Sequence, residues 1–271
     1  MKLVCGVVRH MLMIAMLSGL VWAEPLVLDG LIEPSQIVNV GTSVPGVLKT
    51  VDVERGDMVK KGQILARLRS GVERATMELA RARSELEATI NERQARVDFA
   101  VRKQERYKEL YRKKVIPFEK MDEAKTDSIM ALMDLEEARE ELGLAELELN
   151  RSIEVFKRMS IYSPIFGVVM ERFLSPGEYV EDQPVLKLAQ IHPLYVEIFA
   201  PVELIGAIEV GMDAEITPEN PVGQKVYKAK VTIVDRVIDA ASGTFGVRLE
   251  LPNPEYHLPA GLKCKVAFPK K

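Results

Sequence analysis

Gly46-Val47-Leu48 returns as Gly167-Val168-Val169, and the positions that follow return with it at one fixed offset of 121 residues. Val53 matches Leu174, Gly56-Asp57 matches Gly177-Glu178, Val59 matches Val180, and Ile64-Leu65 matches Val185-Leu186, all without a gap. Each copy alternates short β-type runs with a Gly-acid turn. A half-unit of this size leaves one apolar face uncovered, so the two copies are expected to pack on each other as one small β-sandwich, bringing residues far apart in sequence together in space. This repeat constrains the fold more than any other feature. Whatever lies between the copies must leave the sandwich and return to it at nearly the same place.

Between the copies, over residues 71–158, glycine and proline nearly vanish and Ala, Glu, Arg and Leu dominate, which is the composition of long helices. Val115-Ile116-Pro117, after Lys113-Lys114, is the one strong breaker, and it predicts two helices of about 40 residues, each about 60 Å long at 1.5 Å per residue. The second arm spaces Leu135, Leu142, Leu149 and Phe156 seven apart, with Ala131, Ala138, Ala145 and Ser152 completing a seam. The first arm instead spaces Leu79, Ile90 and Val101, and likewise Leu86 and Val97, eleven apart, a repeat that predicts little supercoiling or a slight right-handed one. Met130 and Met133 read as seam packing. So long a helix pair buries little against a small sandwich, so it is expected to project as a spacer or docking arm.

After the second copy come several strands, over Pro193–Ile198, Ala214–Ile216, Tyr227–Val237, Phe245–Leu251 and Lys263–Phe268, with a short helix expected at Val202–Ile208. Antiparallel strands in this number close best as a small barrel, to which Val27–Val40 adds a strand or two. The fold class expected is therefore mixed α and β and elongated: a split lipoyl-like β-sandwich with an inserted coiled-coil hairpin, plus a small antiparallel β-barrel. The organisation expected is a signal peptide at 1–23, leading strands at 24–43, the sandwich at 44–70 and 159–190, the hairpin at 71–158, and the barrel at 191–268.

The signal peptide follows from Lys2 and Arg9 ahead of an apolar core, Met11 to Leu20, with Val21-Trp22-Ala23 giving small residues at the cleavage positions. The core falls short of the ~20 residues that span a bilayer, and Cys5 precedes it, where a lipidation cysteine does not belong. Cleavage after Ala23 leaves 35 basic and 40 acidic residues of the full 37 and 40, a balance that offers nothing to nucleic acid. Of the two cysteines only Cys264 survives, so no intramolecular disulfide forms despite an oxidising compartment. Cys264 alternates with Leu262, Val266 and Phe268 on one strand face, as a buried thiol does.

The order of half-sandwich, hairpin, half-sandwich and barrel resembles the HlyD-like membrane fusion protein family, the periplasmic adaptors of resistance-nodulation-division pumps, ABC-type exporters and type I secretion. The resemblance covers nearly the whole mature chain. Val44-Pro45-Gly46-Val47 through Leu65-Ala66 is similar to the family's first half-lipoyl motif, and Ile161-Tyr162-Ser163-Pro164-Ile165-Phe166-Gly167-Val168-Val169 to its second. Asn253-Pro254 and Leu258-Pro259-Ala260-Gly261-Leu262 resemble its barrel-closing segment. At the hairpin tip the family's channel-docking pattern is arginine, leucine four on and serine eleven on. Arg106 and Leu110 fit this pattern, while Pro117 takes the serine position.

What the resemblance implies is a periplasmic adaptor between an inner-membrane transporter, of RND or ABC type, and an outer-membrane channel, assembled as a ring of three or six copies. Many pump adaptors continue past the barrel into a membrane-proximal domain; this sequence stops at Lys271, which implies that domain is absent or minimal. Rival classes find less support. A biotinyl or lipoyl carrier shows its lysine on the turn that joins the halves, and here the hairpin replaces that turn. A hydrolase needs a nucleophile beside a base, and the mature chain has only His192 and His257, neither in such a motif. No catalytic, metal or cofactor residues are expected.

Overall fold

In a computed structural model the described residues are 26–219 and 225–269; the signal-peptide reading and Cys5 lie outside them. The chain forms two compact units, one taking the chain up to Glu33 and from Pro193 onward, the other Pro34–His192. In chain order the elements are β1 (Leu26–Val40), β2 (Gly46–Val51), β3 (Met58–Val59) and β4 (Ile64–Leu68), then helices α1 (Gly71–Ser84), α2 (Ala88–Arg112) and α3 (Phe118–Lys157). The strands β5 (Ser160–Tyr162), β6 (Gly167–Arg172), β7 (Tyr179–Val180) and β8 (Leu186–Pro201) follow. The last four are β9 (Asp213–Pro218), β10 (Tyr227–Val234), β11 (Thr244–Leu251) and β12 (Lys263–Phe268). In place of the short helix expected at Val202–Ile208 there is one 3₁₀ turn, Val202–Leu204, and Val27–Val40 lies within a single strand.

The repeat becomes a two-fold pattern in the sandwich. Met58 pairs with Val168 and Val59 with Gly167, and their images 121 positions away, Val47 with Tyr179 and Gly46 with Val180, pair in the same way. The turns match too. Glu54 N–H donates to the Asp57 carboxylate at 2.8 Å and Ser175 N–H to the Glu178 carboxylate at 3.1 Å, while Gly56 and Gly177 take φ of 95° and 97°, a left-handed conformation open to glycine. Gly56 N–H bonds the Val169 carbonyl and Gly177 N–H the Leu48 carbonyl. Each copy thus supplies a strand to the other, and one core of Leu48, Val53, Val59, Leu65, Val169, Val180 and Leu186 closes between them.

In the other unit β12 pairs with β1 and β9, β9 with β10, β10 with β11, and β11 with β8, all antiparallel. Every second residue points inward. Leu194, Val196, Ile198 and Ala200 of β8 and Phe245, Val247, Leu249 and Leu251 of β11 are buried. A Cβ on Gly30 would sit 2.8 Å from Ile198, so only glycine lets β1 curl this close. Cys264, Val266 and Phe268 are buried on one face of β12, and burial, first, pushes the Cys264 thiol up to about 11. Buried Asn253 clamps the segment before β12: its amide N donates to the Leu258 carbonyl at 2.9 Å and its Oδ1 accepts from the Leu258 N–H at 3.2 Å.

The hairpin departs from expectation in its first arm, which is not one helix. Its ladder of i to i−4 bonds stops at Glu85 to Arg81 and resumes at Asn91 to Glu87, while α3 runs unbroken for 40 residues. The cause is a phase shift. In α1 the inward positions are Glu73, Met77, Ala80 and Ser84; in α2 they are Ile90 and Val97, with Ala100 one turn and Gln104 two turns beyond Val97. Both sets follow a seven-residue repeat, but the second starts three residues late, and the chain leaves the helix to reset the seam. The eleven-residue spacing links residues on either side of that reset. Leu79 and Leu86 are accordingly 53% and 63% exposed, not in the seam. The α3 seam holds, with Ala131, Leu135, Ala138 and Ser152 buried and Leu142, Ala145, Leu149 and Phe156 half-buried. Met130 and Met133, however, lie outside it, exposed on the far side of the helix from Ala131 and Leu135 instead of packing in the seam.

Candidate functional site

The hairpin tip is a tight turn between α2 and α3 that carries exposed apolar and basic side chains. Helix α2 ends in a Schellman motif: Val115 N–H bonds the Leu110 carbonyl at 2.9 Å and Lys114 N–H bonds the Tyr111 carbonyl at 2.8 Å. Lys114 sits where glycine is usual, with φ of 57°. Pro117 follows with φ −73° and ψ 161° at the N-cap of α3. That is the position from which a serine hydroxyl would accept a helix N–H, and proline leaves those donors without a side-chain cap. Tyr111 and Phe118 then meet edge to face across the turn, ring centroids 6.0 Å apart.

Of the three residues singled out in the sequence, Leu110 and Pro117 belong to this turn, and Arg106 lies one helical turn below Leu110 on α2. Leu110 is half-buried; Arg106 and Pro117 are exposed. Arg106 makes no ion pair or side-chain hydrogen bond among the described residues. Lysines near it are engaged. Lys103 reaches Asp127 across the arms at 2.7 Å, a hydrogen bond that holds its pKa above the ordinary lysine value. Lys120 is raised likewise by its hydrogen bond to Glu123.

Sequence reasoning missed the apolar part of this tip. Tyr111, Val115 and Phe118 are 40%, 65% and 53% exposed, beside Arg112, Lys113 and Lys114. Residues 106–120 hold six basic side chains against two acidic ones. The signal was present as Tyr-Arg-Lys-Lys-Val-Ile-Pro-Phe, two aromatics seven apart around a basic turn. A surface of this kind suits an apolar partner rimmed with carboxylates or carbonyls. Among the described residues no group of three or more His, Cys, Asp or Glu stands together as a metal set, and no helix is long and apolar enough to cross a membrane.

Comparison with known proteins adds to this geometry. Residues 36–190 match the CzcB-like barrel-sandwich hybrid domain, and residues 193–271 match the CusB-like β-barrel domain. The cobalt-zinc-cadmium resistance protein CzcB of Cupriavidus metallidurans is 28% identical over 223 residues, covering 80% of this chain and 39% of that protein. The macrolide export protein MacA of Yersinia pestis is 24% identical over 247 residues, covering 88% and 66%. The crystal structure of MacA from Actinobacillus actinomycetemcomitans superposes with a TM-score of 0.72 at 25% identity, over 90% of this chain and 78% of that one. The chain spans about half the length of the curated relatives it matches.

Proposed function

The chain belongs to the membrane fusion protein family, matched as a CzcB-like barrel-sandwich hybrid over residues 36–190, and from that premise we propose that it is a periplasmic adaptor bridging an inner-membrane transporter and an outer-membrane channel. The observation that carries the reading is a hairpin whose buried seam faces inward and whose tip turn sets exposed Tyr111, Val115 and Phe118 beside Arg112, Lys113 and Lys114. Tyr111, Val115 and Phe118 stand together around one turn, and a clustered apolar surface rimmed by charge suits a contact. Arg106 and Leu110 dock on the channel, the arginine fork binding carbonyls or a carboxylate and the leucine giving an apolar contact one turn away. Pro117 keeps the turn while removing the hydroxyl that the family pattern carries.

In this reading residues 1–23 direct export and are removed, the chain works in the periplasm beside a transporter of RND or ABC type, and copies assemble as a ring through heterologous contacts. In this reading the protein works by geometry. Arg106→Glu with Leu110→Asp should abolish both crosslinking to the channel and export, with helical content and melting temperature unchanged. Normal export by that double variant would place docking elsewhere on the molecule.

A further inference from the structure

We propose that the hairpin contains a hinge nearer its base than its tip, after the 14 residues of α1 and before the 25 of α2, where the Glu85–Glu87 break in the first arm lies level with Gly143 in the second. The two features come from opposite arms. Arg74 sits over the Phe156 ring, Arg93 reaches Asp134 at 3.5 Å and Lys103 reaches Asp127 at 2.7 Å. That antiparallel register sets residues 85–87 across from residues 140–145.

At this level each source of helical stiffness fails at once. In the first arm, Leu86 N–H turns to the Arg83 carbonyl at 3.3 Å and Glu87 N–H to the Glu85 carbonyl at 3.0 Å, so the ladder is lost. In the second arm a glycine occupies a helix interior, where it costs about 1 kcal/mol relative to alanine. Packing does not demand it: a Cβ at Gly143 would meet nothing within 4 Å. The seam is also thin here. No described side chain is buried between Ala80 and Val97 on the first arm or between Ala138 and Ser152 on the second. The distal segment, by contrast, has its own cluster of Val97, Ala100, Ala131 and Leu135 with Ile90 packed against it, and three ion pairs that cross between the arms, Arg93 and Arg96 to Asp134 and Lys103 to Asp127.

A helix pair bends where hydrogen bonds, propensity and burial are weakest together, because each unit on either side keeps its own contacts while the joint absorbs the change in φ and ψ. The distal arm, with the tip, therefore swings as one body about residues 85–87 and 143. This holds whether or not the tip docks on a channel, so a failure of the adaptor reading leaves it standing, and the reverse.

Hydrogen exchange on the full chain tests it first. Amides of residues 141–146 should exchange faster than those of 128–138, and Gly143→Ala should slow them about fivefold, the equivalent of the propensity difference. Spin labels at Glu78→Cys and Arg102→Cys, which straddle the break, should give a wider distance distribution than labels at Glu92→Cys and Arg112→Cys within α2, and Gly143→Ala should narrow only the first. Asn150→Ala, a helix-favouring change at an exposed site away from the joint, separates a hinge from general stiffening. Uniform exchange along α3, equal widths for the two pairs, or equal narrowing by Asn150→Ala would overturn the proposal.

Discussion

Gly46 and Gly167 occupy the same position in the two copies, yet the fold asks different things of them. A Cβ on Gly167 would lie 2.1 Å from the Ala189 carbonyl oxygen, a backbone atom that cannot swing aside, whereas on Gly46 it would rest 3.6 Å from the flexible Leu68 side chain. Gly167→Ala should therefore destabilise the sandwich by about 2–4 kcal/mol through forced backbone displacement, and Gly46→Ala by less than about 1 kcal/mol. Urea unfolding of the two variants side by side checks this, and similar midpoints would mean that the β6 and β8 backbones separate freely. β6 pairs with β8 through Val168 and Ala189 and β2 pairs with β4 through Leu48 and Leu68, but the neighbouring strand presents its backbone to Gly167 and only a side chain to Gly46.

At the scale of elements, the tip turn shows a helix end built from an unfavourable residue. Lys114 holds a left-handed conformation that costs an L-residue about 1–2 kcal/mol, and it does so between two Schellman hydrogen bonds that fix it. Lys114→Gly should relieve that cost and slow exchange of the Val115 amide about fivefold, the equivalent of about 1 kcal/mol. Lys114→Val should accelerate it, since a β-branched residue fits this region poorly. Exchange that is indifferent to both substitutions would show that the turn is not held by these bonds. The same pair separates tip stability from tip charge, because both variants remove the same positive group.

For the molecule as a whole, the sandwich core is made by residues from both ends of the hairpin, and the hairpin contributes nothing to it. The base of the hairpin is already closed: Ala66 pairs with Ile161 and Arg67 with Ser160, and Leu68 N–H bonds the Met159 carbonyl at 2.8 Å. Replacing residues 72–157 by a short Gly-containing turn should therefore leave the β-sheet circular dichroism and its cooperative melt intact while ending transport. Loss of that melt, or full transport without the arm, would contradict the reading. The barrel is held by its own alternating core and should melt in this variant as it does in the intact chain.

Which parts were legible in the sequence follows from the range of the forces involved. The half-unit repeat could be read because Gly56, Gly177 and the acidic residue after each serve a turn that is local, so the same short pattern must recur wherever that turn recurs. The α3 seam could be read because one unbroken helix keeps one phase. The break at Glu85–Glu87 could not, since a three-residue slip leaves composition and propensity unchanged and shows only when the first arm must keep its seam against a partner of fixed phase. Arg106, Leu110 and Pro117 were named from a pattern, but the exposure of Tyr111, Val115 and Phe118 depends on which side chains the turn leaves without neighbours. Sequence set the local turns and periodicities; only the tertiary structure decided which residues remained uncovered, because burial is a property of what packs opposite a residue and not of the residue itself.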